Sequence, residues 1–142
     1  MKRILVAVDG SARAPTVIAA AARMAELADA RLVLFRAIGI PSDMPREVLN
    51  LMDRRLEDVL LGNAHAELER FAADLPAGRV EQIATPFAIA WDGICRAARE
   101  LDVDLIVIGS HGYGGIDRVL GTTAAKVVNH ADRNVLVVRT PL

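Results

Sequence analysis

Leu105-Ile106-Val107-Ile108 runs without a polar residue into Gly109-Ser110-His111-Gly112-Tyr113-Gly114-Gly115. An uninterrupted apolar run of this length reads as a strand covered on both faces, because a strand wetted on one face alternates apolar and polar residues. Four glycines in the next seven residues let the backbone turn sharply and bring bare N–H groups close to an anion. The same glycines would also serve a plain tight turn.

Further segments with strand character lie at Ile4 to Val8, Leu32 to Ala37, Val80 to Ala84 and Val135 to Val138. Helical spacing fills the gaps between strands. Ala14, Ile18, Ala21, Ala25 and Ala28 mark a first helix whose small inner face allows close approach to a sheet, with Pro15 in its first turn. A second is expected from Pro45 to about Leu75, with Met52, Leu56, Val59, Ala64, Leu68, Phe71 and Leu75 inward and Gly62 as a point of bending or division. A third covers Trp91 to Leu101, with Ile94, Ala98 and Leu101 inward, and a fourth Thr123 to Ala131, with Val127, Val128 and Ala131 inward. Gly39 to Pro45, with two prolines, reads as a surface loop.

Strict β-α alternation predicts an α/β class, Rossmann-like open parallel sheet with helices on both faces. No linker composition divides the chain, so residues 1–142 are expected to form one domain. At 53% hydrophobic content this length can bury a core without disulfides. The net charge of −1 and the 4% aromatic content disfavour nucleic acid as a partner. No apolar run is long enough to span a bilayer, so no membrane association is expected. Cys95 is the only cysteine; it reads as a small apolar helix residue and fits a reducing cytoplasm.

In open α/β sheets, ligands bind beyond the carboxyl ends of the strands where the winding reverses. Three stretches fall there: Asp9-Gly10-Ser11, the Gly39 to Pro45 loop, and the Gly109 to Gly115 run. Gly121-Thr122-Thr123 opens the last helix, whose first amides and positive dipole end suit a phosphate. Asp9 can accept from ribose hydroxyls, or from local backbone in an Asx turn. Ser11 reads as the N-cap of the first helix, with phosphate contact secondary. His111 either approaches ribose or phosphate or is an exposed loop histidine, and His65 and His130 show no partner pattern.

Neither G-x-x-x-x-G-K-[ST] nor G-x-G-x-x-G stands in the required place. Ser110 and His111 are sequence neighbours, which does not orient one to activate the other. No catalytic residue and no metal ligand set is assigned.

Taken together, Ile4-Leu5-Val6-Ala7-Val8-Asp9-Gly10-Ser11, Asp102 to Ile108, Gly109-Ser110-His111-Gly112, Gly121-Thr122 and Asn134 to Arg139 resemble the universal stress protein family along the whole chain. The resemblance implies a five-stranded parallel sheet in order 3-2-1-4-5 and an adenine nucleotide, ATP, with or without Mg2+ on its phosphates. It implies that Ala7 and Asp9 line the base and ribose region, Ala37 meets adenine, and Ile108 and Gly109 floor the site. His111 and Gly112 then meet ribose and phosphate, with Gly121, Thr122 and Thr123 on the phosphates.

The family's loop has the form G-x2-G-x9-G-[ST], whereas eight residues separate Gly112 from Gly121 here and threonine follows. One residue fewer shifts the loop by up to ~3.5 Å, which puts the triphosphate contacts in question more than those to adenine and ribose. The resemblance further implies a homodimer through Val135 to Val138, an apolar edge that pairing would cover. The function expected is a nucleotide-binding regulatory module in the stress response, acting on an unidentified protein partner. The alternatives are a slow ATPase, a dimeric interaction module that has lost its ligand, and a nucleotidyltransferase-like enzyme whose own signatures do not occur.

Overall fold

The computed structural model describes residues 1–39, 47, 54–110 and 120–140. Along the chain these form β1 (Arg3–Ala7), α1 (Ala14–Ala28), β2 (Arg31–Phe35), β3 (Ile38–Gly39), α2 (Arg54–Ala73) and β4 (Val80–Ala84). They continue with β5 (Phe87–Ala88), α3 (Ala90–Glu100), β6 (Leu105–Gly109), α4 (Thr122–His130) and β7 (Asn134–Val138).

The main sheet has the order β4-β2-β1-β6-β7, and every pair in it is parallel. This is the order expected for the five sequence strands, with the winding reversing between β1 and β6. Its three central strands, β2, β1 and β6, are buried on both faces, which is why they are continuous apolar runs rather than alternating ones; the edge strand β4 carries exposed Glu81 and Gln82. Ile4, Val6, Leu32, Leu34 and Val107 pack with Val17, Ile18, Ala21 and Ala25 of α1 and Leu68 of α2. On the other face Leu5, Ala7, Phe35, Ile106 and Ile108 meet Ile94, Cys95 and Ala98 of α3 and Ala124 and Val127 of α4. Each large side chain buried in this way contributes about 1.5–3 kcal/mol.

Cys95 is therefore a buried core residue. Desolvation pushes its thiol pKa above the ordinary value, which leaves it protonated and poorly nucleophilic at neutral pH.

The helices differ from expectation in three places. Leu56 and Val59 of α2 are 51% and 56% exposed rather than facing the core. Twenty residues of helix extend about 30 Å, while a five-residue strand extends about 17 Å. The burial of Ala64 and Leu68, with Phe71 and Ala72 packed beside them, shows that the carboxyl half of α2 is the part seated on the sheet. The helix also runs through Gly62 without a break, and Met52 lies outside the described residues.

In α4, Val127 is fully buried but Val128 is 45% exposed. Successive helical residues stand about 100° apart, so one valine fills the inner stripe and the next falls on its flank.

The third departure is at the start of α1. Its N-cap position is Arg13, with no side-chain cap bond, and Ser11 is not the cap. Ser11 Oγ accepts the Arg13 N–H at 3.3 Å, and the Ser11 carbonyl accepts the Ala14 N–H at 3.2 Å. A turn over residues 11–13 thus delays the helix. Pro15 falls in the first turn as expected, where its missing N–H costs little.

A two-stranded parallel sheet, β3 with β5, was not foreseen; it pairs Ile38 with Phe87 and Gly39 with Ala88. Two-residue strands are too short to carry a period in the sequence.

Candidate functional site

The register brings the ends of three strands level. Ala7 lies opposite Phe35 on β2 and opposite Ile108 on β6. Residues just past this row, Asp9, Arg36, Ala37, Gly109 and Ser110, therefore crown one edge of the sheet at the reversal between β1 and β6. Ala7 and Ile108 are 5% and 6% exposed, so their side chains form a floor rather than a contact surface.

Asp9 is exposed at the tip of β1. Its Oδ1 accepts the Ser11 N–H at 2.9 Å, an Asx turn that aims the carboxylate. A carboxylate has about four acceptor sites, so one such bond leaves capacity for a ribose hydroxyl. Both roles weighed for Asp9 are thus compatible with one geometry.

The start of α4 is tied to the end of β6. The Ser110 N–H donates to the Val138 carbonyl at 2.9 Å, and the Gly121 N–H donates to the Ser110 carbonyl at 2.9 Å. Ser110 is buried, 2% exposed. The Gly121 amide is consequently already engaged. Gly121 is the N-cap of α4, in extended conformation and without a side-chain cap bond, and its carbonyl receives the Ala125 N–H. Thr122 and Thr123 open the first turn of α4, where amides have no intrahelical acceptor. With the threonine hydroxyls these amides are hydrogen-bond donors at this helix start.

Ala37 is half-buried and joins β2 to β3, whose pairing with β5 extends the edge on this side. Phe35, Ala84, Thr85, Phe87 and Gly93 line a concavity there. His111 and Gly112 lie outside the described residues, as do Ile40 to Arg46 of the second-strand loop. Among the described residues no cluster of His, Cys, Asp and Glu could hold a metal ion, and no helix is long and apolar enough to cross a membrane.

The structure thus brings Ala7, Asp9, Ser11, Ala37, Ile108, Gly109, Gly121, Thr122 and Thr123 to one edge. It adds two residues that sequence reasoning passed over. Arg36 Nη1 forms an ion pair with Glu67 Oε2 of α2, and a Cβ on Gly10 would lie 2.7 Å from Arg36 Nη2. A charged residue ending an apolar run was the available signal for Arg36; nothing in the spacing pointed to Glu67.

The universal stress protein family model matches residues 1–139. The chain belongs to the universal stress protein family.

Among the relatives of this universal stress protein, the Staphylococcus haemolyticus protein SH1215 is 32% identical over 144 aligned positions, covering 98% of this chain and 85% of that one. A solved universal stress protein in complex with cAMP superposes with a TM-score of 0.71 at 23% identity, covering 99% of this chain and 98% of that one. The Archaeoglobus fulgidus universal stress protein in complex with dAMP gives 0.61 at 22% identity, with 98% of each chain covered. At those identities the two structures establish the shared fold.

Proposed function

We propose that this universal stress protein is a regulatory module that holds an adenine nucleotide in the crevice between Asp9 and the start of α4. The observation that carries the reading is the α4 start. The Ser110–Gly121 bond fixes an uncapped helix N-terminus beside the end of β6, one strand from the Asp9 carboxylate. An anion at Thr122 and Thr123 and a polyhydroxylated ring at Asp9 are what such an edge accepts. The solved neighbours that hold cAMP and dAMP support the adenine nucleotide class, because both ligands carry an adenine and one phosphate.

In the finer reading the ligand is ATP with Mg2+ carried on its phosphates. Ala37 meets the base, Asp9 the ribose, and His111, Gly112, Thr122 and Thr123 the phosphates. Residues 1–142 act as one domain in the cytoplasm, and any hydrolysis is slow. Occupancy alters a surface read by a protein partner. The module is a homodimer paired through β7, which supplies an open sheet edge for the purpose.

Titration calorimetry with ATP, AMP and GTP tests the reading. Micromolar binding of adenine nucleotides is expected, with affinity lowered about tenfold in Asp9→Ala, the size of one lost charge-assisted hydrogen bond. Undetectable adenine-nucleotide binding by the intact protein overturns the proposal in favour of a ligand-free interaction module.

A further inference from the structure

Arg36 follows β2 directly and is anchored by its own backbone, whose N–H donates to the Ala84 carbonyl at 3.0 Å. Strand alternation puts its side chain on the face of Leu34, toward α1 and α2. There Nη1 meets Glu67 of α2, with the two side chains only 25% and 28% exposed. The guanidinium reaches across to the turn that follows β1. A Cβ on Gly10 would lie 2.7 Å from Nη2 and 3.3 Å from Cζ.

Gly10 has no positive φ, so the backbone there does not require glycine. What glycine supplies at this position is room for the guanidinium. The turn beneath it is otherwise held by local bonds, Ser11 N–H to Asp9 Oδ1 and Arg13 N–H to Ser11 Oγ.

We propose that Arg36, held by Glu67 and packed over Gly10, is a positioning residue that fixes the Asp9 carboxylate for the nucleotide's ribose. The proposal rests on the adenine-nucleotide reading and adds a specificity element to it. An Arg–carboxylate pair that is partly buried is screened less than a fully exposed one. The clamp thereby ties α2 to the ribose-facing turn. Removing it leaves Asp9 in place in the chain but free to sample other turn conformations.

The experiment compares binding of AMP and 2′,3′-dideoxy-AMP by calorimetry in the intact protein and in Arg36→Met, Arg36→Lys and Gly10→Ala. The last variant displaces the guanidinium without removing a charge, and the atom it meets is the far end of a flexible side chain, so the fold tolerates it. The intact protein should prefer AMP about tenfold. The preference should fall to about twofold or less in Arg36→Met and Gly10→Ala and be partly restored in Arg36→Lys, with dideoxy-AMP affinity unchanged in all of them.

A preference retained in Arg36→Met and Gly10→Ala overturns the positioning role while leaving the nucleotide site standing. Equal losses for both ligands, together with a lower unfolding midpoint of the unliganded protein, reduce Arg36 to a stability element and also overturn it. If the intact protein binds neither ligand, the site reading fails and the positioning role fails with it.

Discussion

A Cβ on Gly109 would stand 3.1 Å from Cγ2 of Val17. The end of β6 and the start of α1 are therefore packed at a distance that only a glycine leaves relaxed. Because β6 lies next to β1 in the sheet, this contact sets how deeply the first helix sits behind that edge of the sheet.

Gly109→Ala should force α1 outward by a few tenths of an ångström and cost about 1 kcal/mol, as overpacking of a dense core does. Val17→Ala in the same chain should recover much of that loss, since the two positions touch. Urea unfolding of the single and double variants checks the coupling. Strictly additive effects would show that the contact is not made.

Asp29 closes α1 with a φ of 51°, a left-handed conformation that favours glycine. Its ion pair with Arg79 spans 3.5 Å, and the Asp29 side chain is 97% exposed, so that pair adds little. Asp29→Gly should stabilise the protein by roughly 0.5 kcal/mol. A lower urea midpoint in this variant would refute the strain.

Asp104 accepts the Lys2 and Arg3 N–H groups at 2.6 and 2.9 Å, securing the start of β1. These backbone bonds hold its carboxyl below the usual carboxylate range. Because the folded-state value is the lower one, the contribution is present above the usual range and is lost as pH falls through the depressed value. Asp104→Asn should flatten the fall in stability below about pH 4, measured by urea unfolding across pH 2 to 6. An unchanged pH profile would remove Asp104 as its source.

Light scattering at micromolar concentration should report a dimer, the assembly proposed through β7. The Val138 carbonyl accepts from Ser110 on the β6 side, so by alternation the Val137 N–H points away from β6. Val137→Pro removes an outward donor and should yield a monomer with its far-ultraviolet circular dichroism spectrum retained. A dimer that survives the proline pairs through some other surface.

The parallel α/β class and the residues at the strand ends were legible from local pattern, while the strand order came from the family resemblance. Continuous apolar runs at Ile4 to Val8 and Leu105 to Ile108 can exist only where helices cover both faces. Right-handed crossovers then leave few ways to wind them. Asp9, Gly109 and Thr122 could be singled out as strand-end and helix-start residues before any distance was known.

Tertiary packing decided the rest, because it depends on what lies across space rather than along the chain. Leu56 and Val59 carry the helical period yet face outward, since α2 is longer than the strands beneath it. Ser11 has the chemistry of a cap, but the Asx turn that Asp9 makes with its N–H leads into a turn over residues 11–13, and the helix starts later. The Gly121 amide was free to serve a phosphate until Ser110 claimed it. Arg36 and Glu67, separated by thirty residues, meet because parallel pairing carries β2 past β1 while α2 returns over the sheet. Periodicity reports which face a residue prefers, and only the folded chain determines what stands opposite that face.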